Sequence, residues 1–379
     1  MSKPENSIKK NGAILPAKPN LRDAIINLLE NSIDKGIFDA ILIPMKVPKG
    51  DSYVYVLIKD KSLLKDSIPL PPVMAVQGAK AVSSITRLGK GNIKIAAIMR
   101  PCEIRATNEL SKFSQLDLEN ITLISIDCPG VIPISDFIND PIKNLKIFDE
   151  SAEKWDYKPM RPVCQICDKS SMVAGDIHIG ILGAKKDTFF IIPNSQKGID
   201  LLDKLEISAK ENIDNWKNKI KTISDEKNRK RKKVLKELKS EIGGIDNLTN
   251  ALGQCINCHN CMSVCPICFC RLCYFDSEKV KHIAEDYLDR ADIKGSLRFL
   301  PDTTLFHMGR MIHMSMSCVS CGACEDACPV SIPIAQIFSM MADETQGLFD
   351  YVSGRSLDEP RPLVTYKEDE LHEVEDTND

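Results

Sequence analysis

Apolar positions in the first part of the chain follow two alternating rhythms. Leu21, Ile25, Leu28 and Leu29 share one face at helical spacing, which predicts a helix just after residue 20. Residues 37–43 and 53–58 read as short strands, and Lys49-Gly50-Asp51-Ser52 between them suits a hairpin turn. Pro69, Pro71 and Pro72 mark a loop. A helix over residues 78–88, a buried strand over 93–99, a helix from about 104 to 113 and a buried strand over 121–126 follow. Helices alternating with apolar strands predict an α/β sheet that is at least partly parallel.

The pattern changes after residue 198. Residues 199–252 are polar and helical, with Ile213, Trp216, Ile220 and Ile223 on one face. Residues 227–233 include six basic side chains. A nucleic-acid patch is one reading of that run. A solvated helix face is the commoner one, because acidic residues flank it. Gly243-Gly244 ends this helical insertion, and another helix is expected over 280–293. Residues 1–20 read as a loose polar tail, and the proline-rich acidic stretch after Gly354 reads as extended.

Cysteine spacing carries the strongest chemical signal. Cys255-Ile-Asn-Cys258-His-Asn-Cys261-Met-Ser-Val-Cys265-Pro266 and Cys318-Val-Ser-Cys321-Gly-Ala-Cys324-Glu-Asp-Ala-Cys328-Pro329 both spell C-x2-C-x2-C-x3-C-P. In that run three cysteines hold one cubane and the fourth ligates the other cluster. Two [4Fe–4S] clusters are therefore expected, one on Cys255, Cys258, Cys261 and Cys328, the other on Cys318, Cys321, Cys324 and Cys265. The alternative is a pair of zinc knuckles, but this proline-terminated spacing is not that of a zinc ribbon.

Other thiols sit outside these runs. Two buried strands deliver Cys102 and Cys128 from their carboxyl ends, where an open α/β sheet offers a crevice. With Cys164 and Cys167 they form a candidate third [4Fe–4S] site; the plainer reading makes Cys102 and Cys128 small buried apolar residues. Cys268, Cys270 and Cys273 lie close behind Cys265 and could join the third cluster or replace an assumed ligand. His307 and His313 are candidate ligands, with packing or a hydrogen bond near a cluster the preferred role.

Composition narrows the setting. The chain has 379 residues, 43% of them hydrophobic, and a net charge of -3, so no charge imbalance points to nucleic acid. No apolar stretch approaches a membrane span. Without an apolar leader near Met1, fifteen cysteines are expected to be metal ligands in a reducing cytoplasm.

Arg100-Pro-Cys102-Glu-Ile-Arg105-Ala, Asp127-Cys128-Pro-Gly130, and Cys164-x2-Cys167 followed by Asp176-Ile and Gly180 resemble the coenzyme F-420 hydrogenase/dehydrogenase beta-subunit family. The resemblance runs from about residue 21 to 370 and is close to members with a C-terminal dicluster ferredoxin domain, of the formate dehydrogenase beta-subunit type. Where the commonest family form reads Gly-Thr-Pro-Cys-Gln, this chain has Met99-Arg100-Pro101-Cys102-Glu103. The resemblance implies an α/β flavin-binding-type domain plus an α+β two-cluster ferredoxin-like domain with a helical insertion. The implied divisions are a tail at 1–20, the flavin and iron–sulfur domain at 21–198, the insertion at 199–252, the dicluster domain at 253–345 and an extended acidic tail at 346–379. It also implies FAD, with Arg100, Gly130 and Gly180 as candidate contacts to the pyrophosphate. A flavin would accept two electrons as one hydride and pass them on singly. The implied partner is a catalytic subunit of molybdenum or tungsten formate dehydrogenase or of hydrogenase type. The alternative is a flavin-free relay that wires a partner into a heterodisulfide-reductase-like assembly.

Overall fold

The computed structural model describes residues 11–297 and 302–364. Its centre is an eight-stranded sheet: β1 (Asn11–Pro16), β2 (Ala40–Lys46), β3 (Tyr53–Ile58), β4 (Ile95–Met99), β5 (Ile121–Ile126), β6 (Ile177–Gly180), β7 (Thr188–Pro193) and β8 (Glu211–Asn212). The spatial order is β3-β2-β4-β5-β6-β7-β1-β8. The central strands β2, β4, β5 and β6 run parallel, and the flanking pairs are antiparallel. Every residue of β4 and β5 is buried, as a parallel strand covered on both faces requires.

Period-two alternation sends the strand side chains into two cores. Ala96, Ile98, Ile124 and Ile126 pack with the helices Leu21–Asp34 and Gln196–Lys204 on one face. Ile95, Ala97, Met99, Ile121 and Leu123 pack on the other face against helices Gly78–Thr86 and Pro101–Lys112. That second core continues without a break into Met262, Phe306, Ile334 and Phe338. The sheet and the cysteine-rich C-terminal part therefore share one interior.

Three expectations change. Residues 11–16 belong to β1, not to a loose tail, because their backbone pairs with β7; residues 1–10 lie outside the described part. Most of the polar stretch 199–252 is a 29-residue helix, Asp214–Ile242, about 43 Å long at 1.5 Å per residue, preceded by the end of helix Gln196–Lys204 and by β8. Its basic run is not wholly solvated: Lys227 and Arg231 are buried between Trp216 at one end and Leu235 and Leu238 at the other. The third change concerns the tail, whose residues 365–379 lie outside the described part. Its beginning is not extended but folds back on helix Pro101–Lys112.

That return is tightly bonded. The Gly354 amide donates to Glu109 Oε1 at 2.6 Å, and Tyr351 donates to the same oxygen. Arg105 Nε donates to the Ser353 carbonyl at 2.9 Å, and Ser353 Oγ donates to the Cys318 carbonyl at 2.9 Å. Gly354 has φ +69°, and a Cβ there would run into the Arg105 carbonyl. Gly354→Ala should therefore lower stability by roughly 2–4 kcal/mol, through a left-handed backbone and a forced shift. Gly347→Ala, with nothing near its added Cβ, should stay within about 0.5 kcal/mol. Urea midpoints of the two variants check this.

Candidate metal centres

The two cysteine runs repeat one backbone course. Asn257 and Ser320, each just before the second cysteine, have φ of 55° and 56°. His259 and Gly322, each just after it, have φ of 57° and 80°. These turns aim amides at sulfur: the Asn257 amide donates to Cys255 Sγ at 3.4 Å, and the amides of Ser320 and Ala323 donate to Cys318 and Cys321. Amides held this way favour a thiolate over a thiol. Short helices, Asn260–Ser263 and Ala323–Asp326, then carry the third cysteine of each run.

The side chains assort across the runs. Cys255 and Cys261 each feel the charge of Cys258 and Cys328. Cys318, Cys321 and Cys324 each feel that of Cys265, and these four cysteines line one cavity. Burial pushes the Cys261 and Cys318 thiols up to about 11 and Cys321 to about 12. Desolvation disfavours a bare thiolate; a bound metal would supply the missing countercharge.

A further cavity lies at the carboxyl ends of β4 and β5. Cys102 stands in the first turn of helix Pro101–Lys112, Cys128 follows β5, and Cys164 and Cys167 come from the short helix Pro162–Gln165 and the residues after it. All four line this cavity, together with Arg100, Gly130, Tyr157, Ser320 and Cys321. Cys102 is raised well above an ordinary thiol, first by burial and then by Glu103, Cys128, Cys321 and Cys167. Cys164 is pushed up to about 11 by burial, against the pull of Arg161. The four thiols expected to form a third centre are thus gathered from three separate segments.

The candidate flavin contacts fare differently. Gly130 lines the cavity, donates its amide to Cys128 Sγ at 3.4 Å, and has φ +99° with Met160 and Cys164 where a Cβ would be. Arg100 also lines it and is buried, with its guanidinium held by the Pro71 carbonyl and 3.9 Å from Glu103. Gly180 is not among the lining residues. A Cβ there would stand 2.6 Å from Trp216 Nε1, so this glycine admits the indole. Beneath the crevice, Asp127 accepts from Trp216 Nε1 at 3.0 Å and from the amides of Ile181 and Leu182 at 2.6 and 3.0 Å, and bonds His178 Nε2 at 2.9 Å.

The extra cysteines do not reach this cavity. Cys268 Sγ lies 3.5 Å from Met314 Sδ and its thiol is pushed up, first by a hydrogen bond to Cys265. Cys273 Sγ lies 3.9 Å from Met262 Sδ, and Cys270 is exposed. His313 is exposed, whereas His307 Nε2 lies 3.3 Å from Cys255 Sγ, in the hydrogen-bonding role expected for it. Among the described residues no three Cys, His, Asp or Glu side chains converge closely enough for a single metal ion.

Basic residues crowd the centres, and sequence reasoning missed most of them. Lys227 Nζ donates to the Cys164 carbonyl at 2.8 Å and lies 2.9 Å from the Tyr157 ring centroid; burial pulls its pKa down to about 8. Arg161 donates to the Cys321 carbonyl at 3.1 Å and pairs with Asp326 at 2.7 Å. Arg231 bonds Asp343 at 2.6 Å and Ser320 Oγ at 3.1 Å. The available signal was the four-residue step from Lys227 to Arg231 to Leu235 on one helix face.

Residues 221–332 match a family described as "4Fe-4S dicluster domain". The chain is 29% identical over 287 residues to the F420-dependent formate dehydrogenase subunit beta of Methanocaldococcus jannaschii, covering 69% of this chain and 74% of that protein. It is 28% identical over 402 aligned positions to the F420-dependent formate dehydrogenase 1 subunit beta of Methanococcus maripaludis, covering 90% and 92%. A chain of the F420-reducing [NiFe] hydrogenase complex from Methanosarcina barkeri overlays with a TM-score of 0.44 and 11% identity, over 65% of this chain and 97% of that one. Among the described residues no helix is long and apolar enough to cross a membrane.

Proposed function

We propose, from the premise that the chain is a formate dehydrogenase/hydrogenase beta-subunit-like protein with a C-terminal 4Fe–4S dicluster domain, that it conducts electrons through three neighbouring cysteine groups. It is an iron–sulfur electron-transfer subunit of an oxidoreductase complex, and catalysis lies on a partner chain. The curated relatives are formate dehydrogenase subunits, so formate oxidised on a molybdenum- or tungsten-bearing partner is the electron source in this reading. Clusters of this type, when bound, supply one-electron transfer.

The position of Cys321 carries the reading. It lines both the cavity of Cys265, Cys318 and Cys324 and the cavity of Cys102, Cys128, Cys164 and Cys167. In this reading the three ligand sets follow one another, from the crevice of the sheet, through the Cys321 set, to the set that contains the exposed Cys258. Beside the middle set, Arg161 donates to the Cys321 carbonyl and Arg231 to Ser320 Oγ.

At the strand ends the lining favours a third [4Fe–4S] cluster over the FAD implied by resemblance. Of the lining cations, Arg100 is held by the Pro71 carbonyl and lies near Glu103, with only its Nε unpartnered, and Lys169 pairs with Asp168. Gly180 is given over to Trp216.

The test is anaerobic reconstitution followed by reduction with dithionite. The electron paramagnetic resonance spectrum should be broadened by coupling between neighbouring reduced clusters, and denaturation should release no flavin. Magnetically isolated signals would overturn the adjacency. Release of about one FAD per chain would restore the flavin reading.

A further inference from the structure

We propose that the helix Thr303–Met314, which lies between the two cysteine runs, tunes one cluster selectively. Arg310 and His307 donate to the sulfurs of Cys261 and Cys255 and raise the reduction potential of the cluster bound there above that of its ferredoxin-region neighbour. The inference rests on the ligand set proposed above, Cys255, Cys258, Cys261 and Cys328.

The contacts are direct. Arg310 Nη1 donates to Cys261 Sγ at 3.0 Å and Nη2 to the Cys261 carbonyl at 3.1 Å, while His307 Nε2 lies 3.3 Å from Cys255 Sγ. Three residues apart, the two side chains share a helix face and reach two ligands of one set. This helix turns that polar pair inward and leaves Leu305, Met308 and Ile312 exposed. Phe306, Met311 and Met314 go inward with the pair, and a buried cation among them must answer to something in the interior.

That something is negative charge. Arg310 is only 3% exposed and sits against the rings of Phe338 and Phe306, 4.8 and 5.5 Å from their centroids. The charges that favour its cation belong to Cys261, Cys268, Cys265 and Cys324. Its Nε, and Nδ1 of His307, have no hydrogen-bond partner. A buried cation without a carboxylate is costly unless another anion compensates it. The thiolates and the net negative charge of a bound cluster are the anions at hand. Arg310 also lines the cavity of Cys265, Cys318, Cys321 and Cys324, but its hydrogen bond to sulfur goes to Cys261. The donors to Cys318 and Cys321 are backbone amides, so the direct side-chain donors favour the Cys255 and Cys261 set.

The effect on reduction follows from charge. Reducing a bound cluster by one electron, supplied by dithionite in a titration or by the partner subunit in the complex, adds one negative charge and neither forms nor breaks a bond. A guanidinium and an imidazole N–H aimed at the ligand sulfurs stabilise the reduced form more than the oxidised form. Arg310 and His307 are positioning residues that act through the cysteines.

Dithionite titrations of the full chain, followed by electron paramagnetic resonance, test this on wild type, Arg310→Gln, Arg310→Lys and His307→Phe, each with iron measured. In Arg310→Gln the reduction equilibrium constant of one cluster should fall at least tenfold, 59 mV for a one-electron couple, with smaller shifts in the others. Arg310→Lys should recover part of the shift, and His307→Phe should displace the same cluster in the same direction. Iron-replete variants whose potentials stay within threefold of wild type, or shift equally at every cluster, would overturn the proposal. Should Arg310→Gln fail to hold its clusters, His307→Phe decides alone. A wild-type chain without reducible clusters would instead remove the ligand reading beneath it.

Discussion

Iron should fall from about twelve to about eight atoms per reconstituted chain when Cys102 and Cys128 are both replaced by alanine, at four per cubane. The two thiols come from different strand ends and line one cavity with Cys164 and Cys167. Loss of two ligands from a four-thiolate set should empty it, while the ferredoxin-region sets, with no residue altered, keep theirs. Cys164→Ala with Cys167→Ala should give the same count and the same lost signal. Cys270→Ser removes an exposed thiol and should leave about twelve atoms. The crossing of the two runs has its own signature: Cys258→Ala and Cys328→Ala should abolish one paramagnetic signal, Cys265→Ala and Cys324→Ala the other. A wild-type chain that binds only about eight iron atoms would make Cys102, Cys128, Cys164 and Cys167 structural thiols. Pairing of Cys258 with Cys265 in one signal would abolish the crossing.

The largest stability loss is expected at Asp127. Its buried carboxylate accepts from Trp216 Nε1 and from two amides, and it bonds His178, whose other ring nitrogen lies 2.6 Å from Ser125 Oγ. Asp127→Ala leaves these groups unpaired in the interior, and should lower unfolding free energy by about 3–5 kcal/mol. The start of the long helix is held to the sheet through Trp216, so its packing on β6 should loosen too. Burial by itself would raise the Asp127 pKa. The hydrogen bond and charge of His178, with the amides of Leu182 and Ile181, outweigh it and hold the carboxyl below its ordinary value. A carboxylate depressed in the folded state stabilises fully above its unfolded pKa of about 3.9, and that contribution is lost as pH falls through the folded value. Urea midpoints at pH 7 should therefore separate wild type from Asp127→Ala widely, and the gap should narrow towards pH 3. A gap that stays constant with pH would mean that the carboxylate's charge is not what the site uses.

Short-range chemistry was legible in the chain itself. Cluster spacing is local, so the doubled C-x2-C-x2-C-x3-C-P run was readable without a fold, and the match over residues 221–332 agrees. The strands β4 and β5 were readable because strands buried on both faces are continuous apolar runs. Strand β1 was not, since its six residues are extended by pairing with β7, with Ala13 opposite Ile191. The four-residue β6 carries a histidine in its middle and lacked a clear period.

Tertiary structure alone decided which polar residues serve the centres. Lys227 and Arg231 lie in a basic run that reads as solvated, yet their partners Cys164 and Asp343 are 63 and 112 residues away. Gly180 follows the site motifs in sequence but faces Trp216 in space. Arg310 meets Cys261 across 49 residues. Hydrophobic periodicity reports which residues leave water and metal-ligand spacing reports which thiols can share a cluster. Neither reports where a buried charge finds its counter-charge, because that depends on segments brought together only when the sheet and the cysteine-rich region close over one core.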